Sequence, residues 1–133
     1  MARTRPCTLE IRRGRLRKSA RFLDAAGLIA ELADEQSEIA DVCVTLYVNA
    51  GVAASDVICC ARLGQRPHGE DHNEAVELLR KADTRSAKQL QLLLAMKAKA
   101  AYSHARATPE EARRAARAAE ALVETARRVS AGA

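Results

Sequence analysis

Apolar residues return every three or four positions along most of this chain. In the first such segment Leu16, Ala20, Leu23 and Ala30 share one face of a helix with a 3.6-residue repeat. The same spacing recurs three more times towards the C-terminus. Periodicity of this kind predicts amphipathic helices packed side by side. The predicted amphipathic helices cover residues 11–32, 72–83, 84–102 and 109–128.

The stretch 38–63 follows a different pattern, because apolar or small residues occur on all sides of its helical wheel. A helix that is apolar all round is typical of the centre of a fold. Gly51 within it indicates a close helix crossing, and the small residues Ala50, Ala53 and Ala54 extend that face, within the monomer or across a dimer. The most apolar run, 42–55, is shorter than the ~18–20 residues of a membrane span.

Local signals place the ends of these helices. Thr8 is a predicted N-cap, Ser37 can open the central helix, and Asp71 and Thr108 can cap the later ones. We therefore predict an all-α, up-and-down bundle of four to five helices around the central helix at about 38–63. No strand pattern is evident. The predicted organisation is a flexible basic arm at 1–10, the bundle at 11–129 and a frayed tail at 130–133.

The composition restricts the core and the chemistry. Aromatic residues make up only 2% of the chain, so the core is built from Leu, Val, Ile and Ala. The four cysteines include no Cys-x-x-Cys, and Cys59 and Cys60 are adjacent, a poor geometry for bridging to each other. We predict reduced, buried thiols. No signal peptide is recognised and a cytoplasmic location is expected; no metal or cofactor is expected.

The net charge of +5 is concentrated at the N-terminus, where residues 1–21 carry eight Arg or Lys and one Glu. Clustered cations suit RNA, DNA or an acidic partner, because they release counterions from phosphates. Few aromatics are available to stack bases, which argues against sequence-specific single-strand binding. A solvated arm is the alternative. The candidate contacts in this region are Arg12, Arg13, Arg15, Arg17 and Lys18.

Two groups of polar residues later in the chain are candidate sites. His68, Asp71 and His72 lie in one predicted loop, and imidazole exchanges protons near neutral pH. His68 and His72 could also ligate a metal with Asp71 or Glu70. Alternatively, Asp71 caps a helix and His72 packs against the loop. The second group combines Lys97 and Lys99 with Tyr102 and His104, either as a phosphate-contacting site or as packing and solvated side chains.

In its layout the chain resembles the HEPN family (higher eukaryote and prokaryote nucleotide-binding), specifically its compact bacterial members. The similar pieces are Tyr47-Val-Asn-Ala-Gly51 with Ser55-Asp56, the turn 64–72 leading into Glu74-Ala-Val-Glu-Leu-Leu79, Leu94-Ala-Met-Lys-Ala-Lys-Ala-Ala-Tyr102, and Thr108-Pro-Glu-Glu-Ala-Arg-Arg114. Together they cover about residues 12–128. The resemblance implies a helical bundle that often dimerises and that partners nucleotidyltransferases or cleaves RNA in toxin–antitoxin and defence systems.

The ribonuclease members of that family carry an Arg followed, after four to six residues, by a His near the fourth helix. Lys97, Lys99, Tyr102 and His104 stand there in this chain, without the arginine. Arg62 and His68 have the spacing but lie earlier. We therefore expect a binding module, a homodimer that partners a nucleotidyltransferase or nucleic acid. The alternatives are a metal-independent endoribonuclease using Arg62, His68, His72 or His104, and a structural bundle whose basic arm docks an acidic partner.

Overall fold

The computed structural model describes residues 3–69 and 71–132. Within them the chain forms five α-helices and two three-residue strands, which confirms the all-α helical bundle. The predicted helix boundaries agree with the observed ones to within three residues. In chain order the elements are β1 (Thr4–Pro6), α1 (Leu9–Leu32), α2 (Gln36–Leu63), β2 (Gln65–Pro67), α3 (His72–Ala82), α4 (Thr84–Tyr102) and α5 (Pro109–Ala131).

Helix α2 lies at the centre of the bundle and packs against α1, α3, α4 and α5. Its buried side chains, among them Val44, Val48, Val57 and Ile58, form the middle of the core. Within the described residues α2 alone is long and apolar enough to cross a membrane, and 67% of its most apolar window is buried inside the bundle. The apolar surface of α2 is thus covered by the helices that surround it.

Gly51 is the point where α2 comes closest to its neighbours. A Cβ atom placed there would collide with the Leu93 side chain of α4 and would lie 3.2 Å from Cδ1 of Leu122 on α5. Ala50, Ala53 and Ala54 are fully buried as well. The predicted close crossing is therefore confirmed inside the monomer, and this small-residue face is not available to a second copy.

Side-chain caps fix three of the helix starts as predicted. Thr8 Oγ1 accepts from the amide of Ile11, and Asp71 Oδ1 accepts from the amides at the start of α3. At α5, Thr108 and Glu111 form a reciprocal capping box with a proline in the first turn. Ser37 does not open α2: the helix begins at Gln36 after Glu35, without a side-chain cap.

The prediction that the chain has no strand was wrong. Strands β1 and β2 pair antiparallel, with Arg5 opposite Arg66 and Pro6 opposite Gln65. Each strand is only three residues long and ends in proline, so neither shows the alternation that reveals a strand in a sequence. Gly64, with φ of 69°, ends α2 in the left-handed conformation and turns the chain into β2. The segment expected to be a free arm is therefore paired from Thr4 onwards.

The prediction of four reduced cysteines was also wrong. Cys7 and Cys60 form a disulfide with a Cα–Cα distance of 5.4 Å and a sequence separation of 53. Cys43 and Cys59 are free and buried, as expected. The adjacency of Cys59 and Cys60 disfavours a bond between them but carries no information about Cys7. Only the return of β1 to the end of α2 brings Cys7 and Cys60 together.

Candidate functional site

A cleft of about 450 Å³ opens where α1, α2, α4, the residues around β2 and the start of α3 meet. Its floor is apolar, with Val48 and Val52 from α2 and Leu90 and Leu94 from α4. Its rim is polar and mostly basic. The polar side chains that line it include Arg15, Asn49, Asp56, Arg66, His68, His72 and Lys97.

Arg15 and Asp56 form an ion pair on one wall of this cleft. Arg15 Nε donates to Asp56 Oδ2 at 2.9 Å, and the two side chains are only 27% and 15% exposed. Burial raises the pKa of the Asp56 carboxyl above its ordinary value, while the charges of Arg15 and Arg66 oppose that rise. The carboxylate therefore depends on its arginine neighbours to remain charged in the folded protein.

Arg66 reaches the cleft from β2. Its Nε atom is buried and has no hydrogen-bond partner among the residues that the structure describes. A buried guanidinium nitrogen without an acceptor is costly, because its hydration is lost without replacement. Arg66 nevertheless lines the cleft, and a planar guanidinium suits the two oxygens of a phosphate or carboxylate. Arg66 was not among the predicted site residues.

Both histidines of the predicted loop line the cleft, and each faces a cation. His72 Nε2 lies 3.3 Å from Lys97 Nζ, and His68 Nε2 lies 3.3 Å from an Arg5 guanidinium nitrogen. Since Lys and Arg can only donate, a hydrogen bond at either contact requires the tautomer in which Nε2 carries no proton. The backbone amide of His68 also donates to the carbonyl of Arg3 at 2.9 Å. The structure therefore combines His68 and His72 with Lys97, which the sequence placed in a separate group.

The charges around the cleft favour an anion. Among the described lining residues Arg15, Arg66 and Lys97 are cationic, against the carboxylates of Asp56 and Asp71. Asp71 is exposed and occupied in capping α3. These five groups sum to one net positive charge. Such an arrangement can bind a phosphate through charge-assisted hydrogen bonds while its apolar floor accepts an uncharged group.

The other predicted site residues lie elsewhere. Arg62 is exposed near the end of α2 and lines a separate depression beside Arg85 and Arg128, so it does not join His68. His104 is exposed in the connection between α4 and α5.

At the C-terminal end of α4, Lys99 pairs with Glu111 at 2.8 Å, and Tyr102 is 79% exposed. Neither residue lines the cleft. Lys97 is thus the one residue of that predicted group that the structure places at the cleft.

Of the basic residues of the first helix, only Arg15 lines the cleft. Arg13, Arg17 and Lys18 are exposed, and Arg12 is half-buried with its Nε atom lacking a partner in the described structure. The cationic start of α1 therefore divides into Arg15 at the cleft, the half-buried Arg12, and a set of solvent-facing side chains.

The described residues offer no set of ligands for the metal site that was considered for this loop. Among residues 3–69 and 71–132 no group of three His, Cys, Asp or Glu side chains is arranged to hold a metal ion. Glu70, one of the ligands considered, lies outside the described residues.

No family model matches this chain, and no characterised protein matches it in a search of the curated proteins. The fold and the cleft by themselves define the class: a small helical bundle with a basic, partly apolar cleft beside its central helix. The HEPN resemblance stays a prediction.

Proposed function

We propose that this chain is a HEPN-like binding module that holds a phosphate-bearing strand, RNA in the first instance, in the basic cleft. The observation that carries the proposal is the convergence of Arg15, Arg66 and Lys97, together with two histidines, on one depression. These residues come from separate elements, and burial leaves Arg66 Nε without an acceptor within the described chain. Phosphate oxygens would be attracted by the guanidinium of Arg66 and by the ammonium of Lys97.

The apolar floor of the cleft favours a phosphate that carries an organic group over an inorganic anion. Val52 and Leu94 lie beside the cationic rim, so a sugar or base attached to a bound phosphate would find an apolar surface. Among the described residues that line the cleft there is no tyrosine, phenylalanine or tryptophan. Base stacking on aromatic rings is thus not offered there, and binding with little sequence preference is expected. The homodimer and the nucleotidyltransferase partner remain predictions.

Fluorescence anisotropy with an end-labelled single-stranded RNA of about 12 nucleotides tests this proposal. Arg66→Ala and Lys97→Ala should each weaken binding by roughly threefold to tenfold, the loss of one screened charge-assisted contact. Each should also reduce the slope of log affinity against log salt by about 0.7 per lost phosphate contact.

Matched controls are Lys88→Ala on α4 and Arg114→Ala on α5, because both residues are exposed and neither lines the cleft. If the cleft variants bind as well as wild type while Arg13→Ala and Arg17→Ala lose affinity, the RNA site is the exposed face of α1 instead. Absence of RNA binding by the wild-type protein would contradict the proposal altogether.

A metal-independent endoribonuclease is the second candidate, and the His72–Lys97 contact favours it. A neutral imidazole can take the proton of a ribose 2′-hydroxyl as that oxygen attacks the adjacent phosphorus, and a nearby ammonium can stabilise the phosphate charge. The P–O5′ bond then breaks to leave a 2′,3′-cyclic phosphate, and the departing 5′-oxygen takes a proton from the imidazolium. Cleavage of labelled RNA in the presence of a chelator should then be lost in His72→Ala. It should persist in His104→Ala and Arg62→Ala, which lie outside the cleft. If the RNA stays intact with wild type and with every variant, the endoribonuclease is rejected and only the binding function remains.

A further inference from the structure

We propose that the Cys7–Cys60 disulfide is a redox latch that holds the N-terminal strand against the cleft, so that its reduction loosens the cleft. This proposal concerns regulation of the proposed RNA site, and its effect on affinity rests on that proposed function. The effect of the disulfide on the position of the N-terminal strand does not depend on that function and is tested separately.

The disulfide joins the end of β1 to the last turn of α2. Cys7 directly follows β1, and its amide donates to the carbonyl of Gly64 at 3.1 Å. Cys60 lies one turn before Gly64, at which α2 ends. The bond therefore fastens the N-terminal segment at the point where the chain leaves α2 to build the rim of the cleft.

The fastened segment contacts the rim directly. Arg5 donates to the ring of His68, and the carbonyl of Arg3 accepts from the His68 amide. Arg3 Nε also lies 3.6 Å from Glu74 Oε1 on α3. Arg66, opposite Arg5 in the strand ladder, and His68 both line the cleft. The position of these two rim residues is thus set partly by residues 3–7.

Apart from the covalent bond, β1 is held by its short ladder with β2, by the hydrogen bonds of Arg3, Arg5 and Cys7 described above, and by its connection to α1. The ladder consists of three residue pairs, and an isolated two-stranded ribbon is only marginally stable in water. The Arg3–Glu74 pair is long, and the Arg3 side chain is 67% exposed, so it adds little. The disulfide ties Cys7, the residue after β1, to the last turn of α2, and so keeps β1 beside β2.

The bond is open to reduction from one side. Cys7 is half-buried, whereas Cys60 is 7% exposed. The thiolate of an external dithiol attacks Cys7 Sγ, forms a mixed disulfide and releases the Cys60 thiolate, which takes a proton. The second thiol of the reductant then displaces Cys7 as a thiol. Two electrons pass to the protein, and the reductant becomes a disulfide.

The neighbouring Cys59 does not act as an internal nucleophile. Its side chain is 1% exposed, and burial, with the nearby charge of Asp56, raises the pKa of the thiol to about 12. The latch therefore responds to an outside dithiol and not to exchange within the pair Cys59–Cys60. Disulfides that cycle in this way are the kind expected in a reducing compartment.

Hydrogen exchange followed by mass spectrometry tests the latch on the full chain, oxidised or treated with dithiothreitol, with the thiols counted in each sample. We expect the amides of Cys7 and His68 to exchange at least tenfold faster after reduction. Cys43→Ala should retain this response, because Cys43 is free. Cys7→Ser should exchange rapidly with or without dithiothreitol. If reduction is complete and exchange in residues 3–7 and 64–69 is unchanged, the latch is refuted; this applies to wild type even if Cys7→Ser does not fold.

RNA affinity measured on the same samples separates the two proposals. A fall of threefold or more on reduction, seen in wild type and Cys43→Ala but not in Cys7→Ser, supports control of the cleft. Faster exchange without RNA binding in either form would leave the latch standing and reject the proposed function. RNA affinity that is equal in both forms, with faster exchange in the reduced one, would reject control of the cleft by the latch.

Discussion

Arg15 of α1 and Asp56 of α2 join the two longest helices of the described chain through a hydrogen-bonded ion pair at 2.9 Å. The pair forms a wall of the cleft and fixes the register of α1 against α2 there. Desolvation of Asp56 makes the carboxylate unfavourable, and Arg15 offsets part of that effect. Truncation of either side chain therefore leaves the charge of the other partly buried and without a partner.

We predict that Arg15→Ala lowers the free energy of unfolding by about 1–3 kcal/mol at pH 7, as the loss of a partly buried charged hydrogen bond would. Without Arg15, burial raises the pKa of Asp56 further. A carboxyl whose pKa is higher in the folded state destabilises that state once pH exceeds the folded pKa, and the effect disappears below the unfolded pKa. Urea denaturation should thus show a smaller deficit near pH 3.5 than at pH 7. Arg17→Ala, an exposed change on the same helix, should cost little at either pH.

Gly51 and Gly14 should respond to alanine in opposite directions. Gly14 has open space where a Cβ would lie, so Gly14→Ala should stabilise the protein by about 0.5–1 kcal/mol through helix propensity. Gly51→Ala places a methyl group against Leu93 and Leu122, both fully buried, and should destabilise it by about 1–2 kcal/mol. Thermal unfolding of the two variants compares them directly. A stabilising Gly51→Ala would contradict the close crossing.

Glu111 should stabilise the bundle in a pH-dependent way. Hydrogen bonds from the Lys99 ammonium and from Thr108 lower the pKa of Glu111. The stabilisation is therefore present above the ordinary glutamate pKa and is lost as pH falls through the lower, folded value. Glu111→Gln should lower the unfolding free energy by roughly 0.5–1 kcal/mol at pH 7, and the gap should close as pH falls well below 4. Glu110→Gln, which removes a carboxylate exposed to solvent, is the matched control.

Alkylation should distinguish the cysteines by burial. Burial raises the pKa of the Cys43 thiol, and that of Cys59 rises to about 12, so neither forms appreciable thiolate at pH 8. Native oxidised protein should take up no iodoacetamide by mass spectrometry. After mild reduction Cys7 should be labelled first, because it is the most accessible thiol, and full labelling should require denaturant. Labelling of Cys59 in the native oxidised protein would contradict its burial.

The helices could be predicted because α1, α3, α4 and α5 each carry their own periodicity, because α2 is apolar on all sides, and because three of the five begin with a side-chain cap. Thr108 with Glu111 and Asp71 with its following amides are local arrangements that occur within four residues. Strand β1 and the Cys7–Cys60 bond have no such local signal. Both depend on the approach of residues more than 50 positions apart in sequence. Long-range pairing of this kind is a property of the packed bundle and not of either segment.

The candidate site was predicted only in part, because its residues have local signals but their common location does not. His68 and His72 were recognised because two titratable residues share one loop, and Lys97 and Arg15 were singled out for their charge. Their common location, and the inclusion of Arg66 and Asp56, follow from the crossing of α1, α2 and α4. The Ser55-Asp56 pair, inside the otherwise apolar or small run 50–61, was the signal that could have identified the carboxylate.

Because α2 lies at the centre, hydrogen exchange of its amides reports on the stability of the entire bundle. Because α1, α3, α4 and α5 cover it, its central amides gain access to solvent only when those helices separate. The slowest-exchanging amides around Val48 and Val57 should therefore exchange with the free energy of global unfolding. Any ligand that binds the folded state would slow them by the same factor by which it stabilises the protein.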